Sequence, residues 1–138
     1  MRVKAFYSIL IFGLLCCFGR AQDCTLNIGG KDAGTIVEIF QLNEEQQSQM
    51  QTWQVALETE TASIEAEIKE LMDKHPQETN EELADLAKKY NVLKHKMVNT
   101  SKMYDKKLLG LFNERQYQRY VDLCKAAIRD PLVGVRND

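Results

Sequence analysis

Cysteine is the residue type in this sequence whose placement has the clearest chemical consequence. Cys16 and Cys17 lie in an apolar N-terminal run, whereas Cys24 and Cys124 are separated by 100 residues. Two cysteines so far apart lack the short paired spacing of a zinc site, so we predict no metal centre. An even count in an oxidising compartment favours a disulfide between Cys24 and Cys124. An intermolecular bridge and two free thiols remain the alternatives.

The histidines and glycines do not form a pattern that predicts catalysis or cofactor binding. His75 lies at a predicted helix end and His95 on the polar side of a predicted helix. Neither has a Cys, Ser or carboxylate at a spacing that implies a catalytic triad. Gly29 and Gly30 lack the preceding strand and the following Lys-Ser or Lys-Thr of a phosphate-binding loop. We therefore expect both histidines at the surface, and we predict a protein that is not an enzyme and needs no cofactor.

The charge balance argues against a general nucleic-acid binder. Beyond residue 21 the chain has 15 basic and 20 acidic side chains, an acidic excess that nucleic acid would repel. The charge is also unevenly spread, because residues 22–82 hold 14 acids and 3 bases while residues 83–138 hold 6 acids and 12 bases. We therefore expect either that the acidic half of the chain packs against the basic half, or that each half faces a different partner.

The first 21 residues are typical of a secretory signal peptide. They combine a basic start at Arg2 and Lys4, an apolar run over residues 5–18 and a small residue at Ala21. A membrane anchor is the competing interpretation, but the run of about 14 residues is shorter than the roughly 20 that a spanning helix needs. We predict a periplasmic or secreted protein with no membrane span after cleavage.

Apolar periodicity predicts an all-α fold built on a long helical hairpin. Apolar residues recur every three or four positions from Met50 to Leu71, until His75-Pro76 ends the helix, and again from Leu83 to Leu111. A turn over residues 76–79, with Asn80 as the next cap, is so short that the two helices must lie antiparallel. The first helix is rich in acids and the second in lysines, so opposite charges are expected beside the apolar seam.

Shorter elements are predicted on either side of the hairpin. Thr35 can cap a short helical turn, and a third helix starts after Asn113 and is ended by Pro131. Its inward residues are expected to be Tyr117, Tyr120, Val121, Cys124 and Ile128. The helical domain is therefore predicted over residues 35–130. Residues 22–34 form an extended N-terminal arm in this prediction, and residues 131–138 a flexible tail.

Two capping boxes of the same form begin the first and third helices. Each has an apolar residue, an Asn cap, two polar residues and a Gln whose side chain can bond back to the cap. The six defining positions are Leu42, Asn43, Gln46, Phe112, Asn113 and Gln116. This repeat resembles the Spy/CpxP family of periplasmic stress proteins, whose mark is a twice-repeated Leu-Thr-x-x-Gln. Asn replaces Thr in both copies here, and Phe replaces Leu in the second.

The resemblance implies a helical hairpin that forms a homodimer with a curved cradle. Such a protein holds unfolding envelope proteins without ATP, or acts as a stress-sensing adaptor for an envelope kinase. The alternative from another functional class is a structural or assembly subunit that packs its helices against a permanent envelope partner. A chaperone needs a broad, weakly specific surface, whereas a subunit needs one large apolar patch.

A candidate client-binding line lies on the second helix. Projection at 100° per residue places Val92, Lys96, Met103 and Lys107 more than 90° from the apolar seam. Val and Met offer adaptable apolar contact, and Lys attracts acidic clients over a distance. The alternative is an ordinary solvated helix flank, on which scattered apolar side chains are normal.

Overall fold

The computed structural model of the chain describes residues 21–134, which form an all-α fold. The described elements are β1 (Asp23–Cys24), α1 (Gly34–Phe40), α2 (Glu44–Lys74), α3 (Asn80–Leu111), α4 (Glu114–Ala126) and β2 (Asp130–Pro131). The two strands pair in parallel, with Asp23 beside Asp130. The predicted fold class is confirmed. The signal peptide predicted for residues 1–21 lies outside the described residues, except for Ala21.

Helices α2 and α3 form the predicted hairpin. They contain 31 and 32 residues and pack along each other, so each is about 45 Å long at 1.5 Å per residue. The apolar stripe and the absence of an internal helix breaker explain their length, and His75-Pro76 explains where α2 ends.

The caps of the two long helices differ in one respect from the prediction. Asn43 caps α2 in a complete capping box with Gln46, as predicted. The cap of α3 is Thr79 and not Asn80, which is already the first helical residue. The reason is the position of Glu82, whose carboxylate accepts from the Thr79 N–H at 3.0 Å while its own N–H donates to the Thr79 hydroxyl at 3.2 Å. A cap at Asn80 would place Leu83 at the reciprocal position, where it could not bond back.

The buried core lies at one end of the hairpin, which we call the base. There the N-terminal arm, α1, α4 and residues 130–132 pack on the beginning of α2 and the end of α3. The buried members of this cluster are Ile28, Ala33, Ile36, Phe40, Leu42, Met50, Leu57, Tyr104, Leu108, Leu109, Tyr120, Cys124 and Leu132. The base therefore draws its core from every described helix, and from the arm as well.

The rest of the hairpin, residues 65–103, has little core of its own, and we call it the distal hairpin. Leu86 is the single buried residue in this range. Leu83 and Tyr90, predicted in the apolar seam, are 46% and 38% exposed. Two helices alone cannot enclose a full apolar stripe, because each covers the other along only one line of contact.

Few of the opposite charges on the two helices meet across the seam. Among the described residues, Lys96 Nζ lies 3.0 Å from a Glu67 carboxylate oxygen, and His75 Nε2 lies 2.9 Å from Asp85 at the hairpin tip. Of the other ion pairs that involve the distal hairpin, three are between residues one turn apart on the same helix, and the fourth joins Lys102 to Asp23 of the N-terminal arm. Exposed pairs of this kind contribute about 0.2–1 kcal/mol, so they guide register more than they stabilise.

The C-terminal predictions need two corrections. Helix α4 ends at Ala126, before Pro131, and Ile128 is 83% exposed with a left-handed φ of 54°, so it does not point inward. Leu132, predicted to begin a frayed tail, is 6% exposed, and its N–H donates to the Tyr120 hydroxyl at 2.8 Å. The chain reverses direction after α4 and returns to the core. Residues 135–138 of the predicted tail lie outside the described residues.

Candidate functional site

The structure joins Cys24 and Cys124 in a disulfide within one chain. Cys124 lies on the inner face of α4 and is wholly buried, whereas Cys24 in β1 is partly exposed. The bond ties the N-terminal arm to the base across a loop of 100 residues. Of the three arrangements that the sequence allowed, the structure has the intramolecular bridge.

The two capping-box glutamines lie against each other inside the base. Gln46 Nε2 donates to Gln116 Oε1 at 2.8 Å, and Gln116 Nε2 donates to Gln46 Oε1 at 3.0 Å. Each Oε1 also accepts from the backbone N–H of its own cap, Asn43 or Asn113. Both glutamines are more than nine-tenths buried, at 6% and 8% exposure. The repeated motif therefore forms a reciprocal pair of side-chain amides.

The glutamine pair also holds the helix ends that precede each motif. Gln46 Nε2 donates to the Leu111 carbonyl at 2.8 Å, and Gln116 Nε2 donates to the Phe40 carbonyl at 3.0 Å. The apolar motif positions pack beside them, since Leu42 is buried and the Phe112 ring lies 4.9 Å from that of Phe40. Each glutamine thus caps one helix and donates to the end carbonyl of another. This arrangement fixes the helix ends at the base relative to one another.

A wholly buried carboxylate, Asp105, lies where the N-terminal arm crosses α3. Its two oxygens accept three successive backbone N–H groups, from Leu26 at 2.8 Å, Asn27 at 2.9 Å and Ile28 at 3.1 Å. Burial raises the pKa of the Asp105 carboxyl above its ordinary value, while the three N–H donors act in the opposite direction. Sequence reasoning missed this residue. The available signal was an acid among lysines, next to the seam residue Tyr104.

Tyr104 links the two long helices at the upper edge of the base. Its hydroxyl donates to Glu60 Oε1 at 2.5 Å, and its ring is 3% exposed. The hydrogen bond to the Glu60 carboxylate, together with burial, raises the pKa of Tyr104 to about 12. This contact joins α3 to α2 and was not predicted.

The four residues of the candidate client-binding line lie on α3 but differ in their surroundings. Val92 and Met103 are 64% and 40% exposed. Lys96 forms the ion pair with Glu67, and Lys107 Nζ lies 4.6 Å from the centroid of the Tyr104 ring. The two apolar residues are thus partly exposed, whereas both lysines contact other side chains.

An open groove of about 430 Å³ lies beside Val92, between α2 and α3. It is lined by Glu67, Glu70, Leu71, Lys89, Val92 and Leu93. On the opposite helix the back face offers Val55, 65% exposed, followed by exposed small residues at positions 59, 62 and 66. Around the groove, the distal hairpin therefore presents apolar side chains beside charges of both signs, whereas Val55 and positions 59 and 62 lie nearer the base.

His75 is less exposed than predicted. The His75 side chain is only 9% exposed, because its Nε2 bonds to Asp85 and its Nδ1 lies 2.7 Å from the Pro76 carbonyl oxygen in the hairpin turn. His95 is exposed, as predicted. Over residues 21–134 no group of three or more His, Cys, Asp or Glu side chains is placed to hold a metal ion. Within the same range, no helix combines the length and the apolar character needed to cross a membrane.

Comparison of the chain with protein-family models, with curated proteins and with solved structures finds no match.

Proposed function

We propose that this protein is an exported, ATP-independent holding chaperone or stress-response adaptor of the Spy/CpxP type, with the distal hairpin as its binding surface. The observation that carries the proposal is the exposed apolar surface of the distal hairpin, where Leu86 is the single buried residue of residues 65–103. The apolar side chains exposed there are Met72, Leu83, Tyr90, Val92, Val98 and Met103. These side chains lie on more than one face of the hairpin and are available for contact with other polypeptides.

The side-chain chemistry of this surface suits weak binding of many sequences. Met72 and Met103 are unbranched and polarizable, so they can adapt to different partners. Lys88 and Lys94 lie exposed on α3, with no ion pair among the described residues, and would attract acidic segments over a distance. Apolar contact then supplies affinity, and charge supplies the rate of encounter.

The shape of the surface also favours binding over catalysis. The groove beside Val92 is open and shallow, and so is the larger one on the outer face of α4 around Arg115 and Arg119. An open groove leaves a bound chain partly in water, which weakens electrostatic catalysis and permits rapid release. We therefore propose a binding protein that is not an enzyme.

A permanent structural subunit is the second candidate, and a different surface favours it. At the base, Leu123, Ile128 and Val133 are 45%, 83% and 76% exposed. Leu123 lies on α4 and Ile128 just beyond its end, whereas Val133 lines a groove with Leu109 and Phe112 near the end of α3. A fixed envelope partner docked on the base would cover them.

The test is suppression of aggregation of a model unfolding protein by two matched double variants. Val92→Ser with Met103→Ser alters the distal hairpin, and Leu123→Ser with Val133→Ser alters the base. We expect the first variant to lose most of its activity at unchanged helicity, and the second to retain it. The wild-type activity should also fall at high salt if the lysines steer acidic clients.

Full activity in the folded hairpin variant would contradict the proposed surface. If the wild-type chain suppresses no aggregation, while the base variant alone changes solubility or co-purification with a partner, the structural-subunit candidate takes its place.

A further inference from the structure

The N-terminal arm covers one side of the seam between α2 and α3, close to the base. Its turn passes so near α2 that a Cβ at Gly29 would lie 2.8 Å from a Leu57 methyl carbon. Beside this turn lies an open hollow of about 520 Å³. Its helical lining includes Glu58, Thr61, Glu65, Met97 and Ser101. The hollow therefore marks where the cover that the arm provides comes to an end.

Apolar side chains continue from this hollow toward the hairpin tip. Five of them form a surface that we call the arm-side groove, namely Ile68, Met72, Leu83, Tyr90 and Met97. Ile68 and Met72 follow the hollow residue Glu65 at spacings of three and four, so they share its face of α2. Leu83 and Tyr90 precede Met97 by 14 and 7 residues, close to four turns and two turns of α3. Met72, Leu83 and Tyr90 are 45%, 46% and 38% exposed.

The arm-side groove is on the opposite side of the hairpin from the groove beside Val92. Glu65 lines the hollow next to the arm and Glu67 lines the groove beside Val92, and residues two apart on a helix point about 160° from each other. The two sites have no lining residue in common. Since Lys96 pairs with Glu67, that ion pair lies on the Val92 side. The two surfaces can therefore be altered independently.

An amphipathic helix fits the shape of the arm-side groove. From Leu83 to Met97 the groove runs for about 20 Å, the length of four helical turns. Its side chains recur at helical spacings on two packed helices, so they form ridges between which the side chains of a third helix can pack. Such a helix would cover the part of the apolar stripe that two helices leave exposed.

The edges of the groove indicate the charge of that helix. Glu58 and Glu65 lie seven residues apart at the α2 edge, and Lys94 lies at the α3 edge. All three are exposed, and none forms an ion pair among the described residues. Basic side chains seven residues apart on one flank of a partner helix would complement the two carboxylates. Charges at the edge of an interface guide orientation and encounter more than affinity.

We propose that the arm-side groove is a docking site for an amphipathic helix of another protein, with basic residues on one flank. The turn of the arm at Gly29 closes the basal end of the site, so the bound helix lies between that turn and the hairpin tip. This site takes a folded helical partner, and it therefore goes beyond the proposed holding of unfolding proteins.

The experiment measures binding of a labelled helical peptide to the full chain by fluorescence anisotropy. The probe is a designed helix of Leu, Ala, Lys and Glu, with leucines along one face, lysines seven residues apart on one flank and glutamates on the other. One control peptide has the same composition in scrambled order, and a second has Glu in place of every Lys. We expect the probe to bind at least about tenfold more tightly than either control.

Two matched double variants locate the binding site. Leu83→Ser with Tyr90→Ser alters the arm-side groove and should weaken binding at least about tenfold at unchanged helicity, because apolar contact is lost. Val92→Ser with Met103→Ser alters the opposite side and should leave binding unchanged. If the first variant loses helicity, Met72→Ser alters the same groove from α2 and should also weaken binding.

The charges are tested separately. Glu58→Gln with Glu65→Gln should weaken binding several-fold at low salt and little at high salt, since exposed charges are screened. Glu70→Gln is the matched control, because Glu70 lines the groove on the Val92 side.

Three results would overturn the proposal. The first is a wild-type chain that binds the probe no more tightly than the scrambled peptide. The second is binding that survives Leu83→Ser with Tyr90→Ser in the folded chain. The third is a dimer of the wild-type chain that the same variant dissociates, which would assign the groove to a second copy. A wild-type chain that binds the probe at this groove but suppresses no aggregation would support the docking site and contradict the holding activity.

Discussion

The reciprocal glutamine pair gives the sharpest test of how this fold is held together. The side chains of Gln46 and Gln116 each form four hydrogen bonds of 3.1 Å or less: two with the other glutamine, one with its own cap N–H and one with a helix-end carbonyl. Gln116 Nε2 also lies 3.5 Å from the Gln41 carbonyl oxygen. At about 1 kcal/mol per buried bond, Gln46→Ala or Gln116→Ala should each cost about 4 kcal/mol of unfolding free energy. That is a large share of the roughly 5–15 kcal/mol typical of a domain.

The double variant distinguishes a true pair from two independent caps. The double variant loses the two shared bonds only once, so it should cost about 6 kcal/mol of unfolding free energy. The sum of the two single variants is about 8 kcal/mol, so the expected coupling is about 2 kcal/mol. Urea unfolding of the oxidised chain, followed by circular dichroism, measures all three variants, with an osmolyte added where the double variant is unfolded in buffer. Gln118→Ala is the matched control, because Gln118 is exposed on α4 and bonds only to Asp122.

Additivity within about 0.5 kcal/mol would refute the reasoning, because side chains that do not contact each other show no coupling. A cost below about 1 kcal/mol for either single variant would do the same. In that case the twice-repeated motif would be two helix starts with no tertiary role.

Three further predictions follow from single features of the structure. Thr79→Ala should cost about 1 kcal/mol of stability in urea unfolding, and Asn80→Ala less than about 0.5 kcal/mol, because Thr79 is the cap of α3. A larger loss for Asn80→Ala than for Thr79→Ala would support Asn80, the cap predicted from the sequence. Tyr104 should ionise near pH 12 in an absorbance titration, because its hydrogen bond to Glu60 raises its pKa to about 12. The stabilisation that this raised pKa provides is complete below about pH 10 and is lost as the pH rises to 12. A titration of Tyr104 near pH 10 would contradict the contact with Glu60. Ile128→Gly should stabilise the chain by about 1 kcal/mol, because residue 128 has a left-handed φ of 54° that glycine adopts without a steric cost. Ile128→Ala keeps the Cβ and therefore its steric cost, so it should change the stability little. Equal effects of the two substitutions would argue against the left-handed conformation.

Local features of the sequence were sufficient to predict the helices and several of their ends. Thr35, predicted to cap α1, instead lies inside that helix, whose cap position is Ala33, and α4 ends at Ala126 before Pro131. Apolar periodicity and short-range caps act within a few residues, so α2 could be placed between Asn43 and His75 without knowledge of the rest of the fold. The same reasoning located α4 after Asn113. It misplaced the α3 cap by one residue, because Thr79 and Asn80 are both good caps and only the position of Glu82 separates them.

Only the tertiary structure determined which faces of the predicted helices are covered by other parts of the chain. Asp105 looks like one more charge on a lysine-rich helix until the N-terminal arm crosses it, and Gln46 looks like half of a local cap until Gln116 meets it. Conversely, Tyr90 is 38% exposed, although Leu108 of the same apolar stripe is wholly buried. Helical periodicity shows which residues share a face. Burial depends on contacts between segments far apart in the chain, such as that between Leu26 and Asp105, 79 residues apart, which no local pattern records.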